Sequence, residues 1–282
     1  MPDRLPGVLL VIPNLQVGGF EHQMRVLAEG LKLGGRYSPV VCSLDGDGPM
    51  GDILRSVGIE LEILHKRGKV DPILIPEIVA IIRAHGIQVV QGFMFAGNCW
   101  GRVAAKVASV PMAFGTEGSL PTWKSVVHRA IDHRLGGDGV ICNAEAVRQL
   151  IIRQGALKPS TVHVVPNGVD VEKFRPVDSK IELRERFGLP RDAVIAGTVC
   201  RLDPNKDILA LVDAFHTAYQ HFHDLHLVIV GGAKDDKERL YAGAVEEAVK
   251  SRKMDDKIHL VGEQSDVAGY LCAMDFYVQS SI

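Results

Sequence analysis

Short apolar runs alternate along the chain with longer stretches whose apolar residues recur at helical spacing. The run at residues 8–12 predicts a buried strand, and the stretch at 21–33, with Met24, Leu27 and Leu31 on one face, predicts a helix after it. The first half of the chain contains further predicted elements, which are strands at 40–44, 87–90, 112–114, 139–142 and 162–165 and a helix at 71–85. This alternation is typical of βαβ units around a mainly parallel sheet.

A turn-rich segment that begins at Pro166 interrupts the alternation, which then starts again. The second half contains predicted strands at 194–199, 225–230, 258–261 and 275–279, and predicted helices at 180–187, 208–221 and 236–251. We therefore expect an α/β protein with two Rossmann-like parallel-sheet domains, residues 1–166 and 191–282, joined by a linker at 167–190. The last strand runs into the chain end, where a doubly wound domain usually continues into a helix, so we expect the second domain to be incomplete.

Composition and charge narrow the class of protein. Apolar residues make up 46% of the 282 residues and charged residues 23%, with a formal net charge of −2, so nothing points to nucleic acid as a partner. The five scattered cysteines favour buried thiols in a reducing compartment, and no apolar run resembles a signal peptide or a transmembrane span. We expect a cytoplasmic protein. A basic amphipathic stretch at 123–134 leaves peripheral contact with a membrane open, beside the alternative of a solvated helix face.

Two pairs of glycines follow predicted strands. Gly18 and Gly19 lie between the first strand and the first helix, where bare backbone and a helix N-terminus suit an anion; a plain turn is the alternative. Gly231 and Gly232 end the buried strand at 225–230 and suit a nucleotide resting against the backbone. The full G-x-G-x-x-G spacing is missing, which disfavours NAD.

Two cations follow the first strand of the second half. Arg201 leaves the end of that strand, and Lys206 is expected at the start of the next helix. Cations at the carboxyl end of a parallel strand, beside a helix N-terminus, form a site suited to a diphosphate. The alternative is a surface loop with two solvated cations.

Together these motifs resemble the retaining GT-B glycosyltransferases of family 4, which use UDP- or GDP-sugars. The matching segments run in order along nearly the whole chain, and the two most specific ones are P-N-G-V-D-x-x-x-F at 166–174 and R-L-x-x-x-K at 201–206. The less specific matching segments are those at 18–21, 101–105, 141–145, 228–232 and 261–263.

The resemblance implies a role for each motif. Arg201 and Lys206 would hold the donor's diphosphate and stabilise it as it leaves, so that neither a metal nor another cofactor is expected. The implied donor-binding glycines are Gly18, Gly19, Gly231 and Gly232. The sugar would move to a saccharide or lipid-linked acceptor with retention at the anomeric carbon, as in the synthesis of surface polysaccharides or glycans.

Two departures from the family pattern affect these expectations. Family members often carry a histidine where this chain has Phe93, and we expect Glu117, together with Glu21, to supply polar groups on the acceptor side. The family's E-G-x-x-x-x-x-x-E segment, whose glutamates bind the transferred sugar and the ribose, should begin just after Ile282, so the chain is expected to be truncated.

Three alternatives remain open at this point. One is a truncated, non-catalytic remnant that binds a nucleotide or a partner protein, and another is a nucleotide-sugar epimerase, although its histidine and acidic patterns are missing. The third concerns His221, His223 and His226, which have a composition suited to a metal site but also fit a solvated loop.

Overall fold

The computed structural model describes residues 5–68, 70–118, 137–154 and 157–282. The chain divides into two compact units, Met1–Val169 and Asp170–Ile282. The basic stretch at 123–134, considered above as a membrane-contacting helix, lies outside the described residues. Every helix within the described ranges is too short or too polar to span a bilayer.

The first unit is built on a seven-stranded sheet in the order β3-β2-β1-β4-β5-β6-β7, and all neighbouring strands are parallel. Its strands are β1 Gly7–Ile12, β2 Ser38–Ser43, β3 Glu60–Ile63, β4 Ile87–Phe93, β5 Met112–Glu117, β6 Gly139–Cys142 and β7 Val162–Val164. Its described helices are α1 Gly19–Leu33, α2 Pro49–Ser56, α3 Leu74–His85, α4 Met94–Ala108 and α5 Glu145–Arg153.

Strand β1 lies inside this sheet, between β2 and β4, and both of its faces are covered. Successive side chains of a strand point to opposite faces. Leu9 and Val11 therefore pack in the cluster that includes residues of α3 and α4, whereas Leu10 and Ile12 pack in the cluster that includes residues of α1 and α2. All four side chains are fully buried.

The second unit has a four-stranded parallel sheet in the order β10-β9-β8-β11. Its strands are β8 Val194–Val199, β9 Leu225–Val230, β10 Ile258–Gly262 and β11 Phe276–Tyr277. Its helices are α6 Ile181–Arg186, α7 Ile208–Tyr219, α8 Asp236–Ser251 and α9 Val267–Ala273. Alternate residues of β9 again serve two clusters, one around Leu227 and Ile229 and the other around Val228 and Val230.

The expected fold class, α/β with two parallel-sheet units, is confirmed, but several element bounds were wrong. The helix expected from residue 71 begins at Leu74. Asp71 lies in the turn before it, because its carboxylate accepts hydrogen bonds from the amides of Arg67 (2.7 Å) and Ile73 (3.1 Å). Lys206 does not start a helix. It ends the 3-10 turn Pro204–Lys206 that precedes α7.

Candidate functional site

The loop at residues 200–207 follows β8 at the carboxyl edge of the four-stranded sheet and carries both cations singled out in the sequence. Its backbone is fixed to the end of β9: the Cys200 amide donates to the Val230 carbonyl at 3.0 Å, and the Leu202 amide donates to the Gly232 carbonyl at 3.0 Å. Arg201, between these two bonds, therefore leaves the sheet from a backbone position held on both sides.

Gly231 makes this arrangement possible. A Cβ atom at this position would overlap the Cys200 carbonyl oxygen, and the residue has φ +141°, which side-chain-bearing residues rarely adopt. Gly232 is less constrained, since the nearest atom to a Cβ there would be Glu263 Cβ at 3.4 Å. The close approach at Gly231 is thus to the chain's own backbone.

Lys206 lines a small pocket beside the end of β11. Asp203 caps the preceding turn by accepting from the Asn205 amide at 2.8 Å, and Ser280 Oγ donates to the Lys206 carbonyl at 2.7 Å. The pocket has a volume of about 120 Å³ and is lined by Thr198, Val199, Cys200, Lys206, Tyr277, Gln279, Ser280 and Ser281. Burial raises the pKa of the Cys200 thiol, against a hydrogen bond from Thr198 and the charge of Lys206.

Arg201 lies against the first turn of α8. Its Nη1 atom is 2.5 Å from Oε1 of Glu238, a residue only 1% exposed, whereas the arginine side chain is 54% exposed. Among the described residues, Glu238 is the only ion-pair partner of Arg201. The other guanidinium N–H groups of Arg201 make no hydrogen bond to the described residues. A half-exposed guanidinium and an ammonium on one rigid loop can bind an anionic group such as a diphosphate.

The glycine pair of the first unit lies at the start of α1. Gly18 is the N-cap residue, and a Cβ atom on it would overlap Oε2 of Glu21, whose side chain is 9% exposed. Glu21 thus places its carboxylate at the N-terminus of its own helix, where negative charge is stabilising. Gly19 has open space where a side chain would be.

Glu117 ends β5 and is held by the buried Asn98 of α4. Asn98 Nδ2 donates to Glu117 Oε1 at 3.0 Å, and the same amide group bonds both the N–H (2.9 Å) and the C=O (3.2 Å) of Thr116. Gln91 Nε2 donates to the Thr116 hydroxyl at 3.0 Å. Phe93, which stands where the family often has a histidine, is 2% exposed and belongs to the hydrophobic core.

The histidine-rich loop has no metal-binding geometry. His226 Nδ1 lies 3.0 Å from His259 Nε2, and the ring of His223 packs edge-on against Tyr219. Across the described ranges, no group of three or more His, Cys, Asp or Glu residues is arranged to hold a metal ion.

Sequence comparison assigns the chain to a family. Residues 17–173 match the model of Glycosyltransferase Family 4, and residues 193–282 match that of Glycosyl transferases group 1. The chain belongs to Glycosyltransferase Family 4. This membership favours a glycosyltransferase over the epimerase alternative, and it agrees with the resemblance carried by the motifs at 166–174 and 201–206.

Two relatives of this Family 4 chain are enzymes of known name. It is 28% identical over 193 residues to the UDP-Gal:alpha-D-GlcNAc-diphosphoundecaprenol alpha-1,3-galactosyltransferase of Escherichia coli, an alignment that covers 64% of this chain and 49% of the relative. It is 30% identical over 162 residues to the mannosylfructose-phosphate synthase of Agrobacterium fabrum, covering 55% of this chain and 35% of the relative. The Family 4 chain therefore spans half or less of the length of these relatives.

Solved structures confirm the GT-B fold of the Family 4 chain. The crystal structure of HepE from Anabaena in complex with UDP superposes with a TM-score of 0.83 at 19% identity, and the match covers 97% of this chain and 74% of HepE. At this level of identity the likeness concerns the fold.

Glu238 and Asn98 were not predicted from the sequence as parts of the site. Asp235 and Glu238 have the D-x-x-E spacing of a helix start, and Asp235 Oδ1 indeed accepts from the Glu238 amide at 2.8 Å. That signal predicts the cap but not the contact with Arg201. Asn98 carried no signal, since a lone asparagine outside any recognised motif is usually exposed.

Proposed function

We propose that this chain binds a nucleoside-diphosphate sugar, UDP- or GDP-hexose, and transfers the sugar to a saccharide or lipid-linked acceptor with retention at the anomeric carbon. The observation that carries the proposal is the loop at 200–207. It presents Arg201 and Lys206 at the carboxyl edge of the second sheet, in a chain that belongs to Glycosyltransferase Family 4.

The chemistry assigned to the loop is electrostatic. As the glycosyl bond breaks, negative charge develops on the departing diphosphate. Arg201 can pair with two phosphate oxygens, and Lys206 supplies a compact second charge. Because Arg201 is fixed through its backbone and its side chain, little rearrangement is needed as this charge appears.

The other site residues remain part of the proposal. Gly19, where no atom lies within 4 Å of the position that a Cβ would take, is assigned to the donor, and Glu117 is assigned to the acceptor side. The name of the E. coli relative supports a lipid-diphosphate-linked acceptor. Glu21 is proposed to act on the acceptor side through the start of α1, which its carboxylate stabilises.

Nucleotide binding tests the donor assignment. Isothermal titration calorimetry with UDP and GDP should show that Arg201→Ala combined with Lys206→Ala weakens binding by at least ~2 kcal/mol, since two charge-assisted contacts are lost. The matched control is Arg191→Ala with Lys250→Ala, which removes two exposed cations of the same unit away from the loop. Equal affinities in the two double variants would refute the assignment.

A transfer assay separates catalysis from binding alone. UDP- and GDP-hexoses are incubated with saccharide and diphosphoundecaprenol-linked acceptors, and NMR reads the anomeric configuration of any product. A product with the donor's configuration supports retaining transfer. Tight nucleotide binding with no product in any combination supports the alternative of a nucleotide-binding chain without turnover.

A further inference from the structure

Glu238 is a buried carboxylate whose two oxygens have different partners. It lies in the first turn of α8 and is 1% exposed. Its Oε2 atom accepts from the Lys234 amide at 2.7 Å, just ahead of the helix, and its Oε1 atom accepts from Arg201 Nη1 at 2.5 Å. The carboxylate therefore joins the start of α8 to the loop after β8.

Helix capping explains only part of this arrangement. Asp235 caps the helix by accepting from the Glu238 amide, and Oε2 of Glu238 satisfies one more backbone donor. Neither interaction requires the second carboxylate oxygen to meet a guanidinium 37 positions earlier in the chain. Moreover, a capping glutamate is usually solvated, whereas this one is enclosed.

We propose that Glu238 is a positioning residue that holds the guanidinium of Arg201 in the orientation required for a diphosphate. This inference rests on the proposed function. An arginine side chain loses much conformational freedom when it is ordered, and a fixed carboxylate imposes that order before a ligand arrives. The contact uses one Nη atom, which leaves donors of the planar fork for phosphate oxygens.

The negative charge of Glu238 also reduces the net positive charge of the loop. Glu238 therefore orients Arg201 but weakens the electrostatic attraction of the loop for an anion. Two features favour orientation. The carboxylate is buried at a helix N-terminus, which already compensates part of its charge. Lys206, at the end of the 3-10 turn, supplies a second positive charge.

Nucleotide affinity in two backgrounds tests the proposal. The probe is whichever of UDP and GDP the unaltered chain binds more tightly, titrated by calorimetry. Glu238→Gln keeps the side-chain shape but weakens the charge-assisted bond, and we expect the Kd to rise about fivefold or more. In the Arg201→Ala background the same substitution should change the Kd by less than about twofold, since its effect passes through Arg201. An unchanged Kd, or the same loss in both backgrounds, would overturn the proposal.

Control variants separate positioning from stability. Glu247→Gln, an exposed glutamate of the same helix, should leave the Kd unchanged. Asp235→Ala removes the cap but not the contact with Arg201, so it should lower the Tm with a smaller effect on the Kd. Should Glu238→Gln fail to fold, Glu238→Asp takes its place, because it keeps the charge and withdraws the carboxylate by one methylene.

A second measurement is independent of nucleotide binding. Phenylglyoxal modifies accessible arginines, and peptide mass spectrometry gives the rate at Arg201 alone. The rate should increase in Glu238→Gln and remain unchanged in Glu247→Gln. An unaltered rate at Arg201 overturns the positioning role even if UDP binds, whereas an increased rate in a chain that binds neither UDP nor GDP counts against the proposed function only.

Discussion

His226 and His259 form a direct hydrogen-bonded pair on neighbouring strands β9 and β10, with Nδ1 and Nε2 3.0 Å apart and the two rings stacked. Burial lowers the pKa of both imidazoles, and the Lys257 ammonium, 3.5 Å from His226 Nε2, lowers them further. Asp224 and Asp256 act in the opposite direction on the pKa of His226, and Asp256 does so on that of His259. The folded structure therefore favours the neutral form of both imidazoles.

This pair predicts a loss of stability in acid. Both folded-state pKa values lie below the ordinary value of 6.5, so the unfolded chain binds more protons below that pH. The contribution of the pair is fully present above about pH 6.5 and is lost as the pH falls through the folded pKa values. We expect the Tm to fall between pH 7.5 and 5.0, and His226→Gln with His259→Gln to show about half that decline. Thermal melts followed by circular dichroism give the Tm at each pH. The control is His221→Gln, which replaces an exposed histidine. If the Tm of the unaltered chain, the double variant and the control declined in parallel, the prediction would be contradicted.

Gly231→Ala should disrupt the loop that carries Arg201. The new Cβ would overlap the Cys200 carbonyl oxygen and would occupy a backbone conformation at φ +141° that alanine rarely adopts. We expect a loss of about 3 kcal/mol in the free energy of unfolding, measured by urea denaturation. Gly232→Ala is the matched control, because its Cβ would meet nothing closer than 3.4 Å. The idea fails if the two alanine variants are equally stable.

Arg184 should tolerate no replacement, even by lysine. Its side chain is 7% exposed, and its guanidinium donates to the carbonyls of Ala273 (3.0 Å), Arg191 (2.8 Å) and Ala193 (3.0 Å) as well as to Asp275 (2.7 Å). An ammonium cannot reach four acceptors in this arrangement.

We expect Arg184→Lys to lower the free energy of unfolding by about 2–3 kcal/mol, since buried acceptors are left without donors. The control is Arg186→Lys on the same helix, where the arginine side chain is 59% exposed and pairs with Asp266. Chemical denaturation compares the two variants. If the free energies of unfolding of the two variants differed by less than about 0.5 kcal/mol, the fold would not depend on the planar guanidinium of Arg184.

Local patterns predicted most of the fold but little of the side-chain geometry. Strands β1, β8 and β9 are mostly apolar and buried, and their bounds were predicted from the sequence to within one residue. Strand β3 was missed because Glu60–Ile63 alternates over only four residues at a sheet edge.

The candidate site shows the same division between local and long-range information. Arg201 and Lys206 stand in a recognisable local motif, so they could be found from the sequence. The contacts of Glu238 with Arg201 and of Asn98 with Glu117 join residues 37 and 19 positions apart, and only the packing of helices on the sheet brings them together. The spacing of apolar residues within a single helix or strand gives no information about such contacts.

The anchored backbone of the loop at 200–207 has a thermodynamic consequence. The amides of Cys200 and Leu202 are hydrogen-bonded to the carbonyls of Val230 and Gly232, and the Lys206 carbonyl is hydrogen-bonded to Ser280. The backbone of this loop is already ordered before a ligand binds. Binding therefore costs little conformational entropy of the chain. Changes in ligand preference are then more readily made by exchanging side chains on this scaffold than by reshaping it.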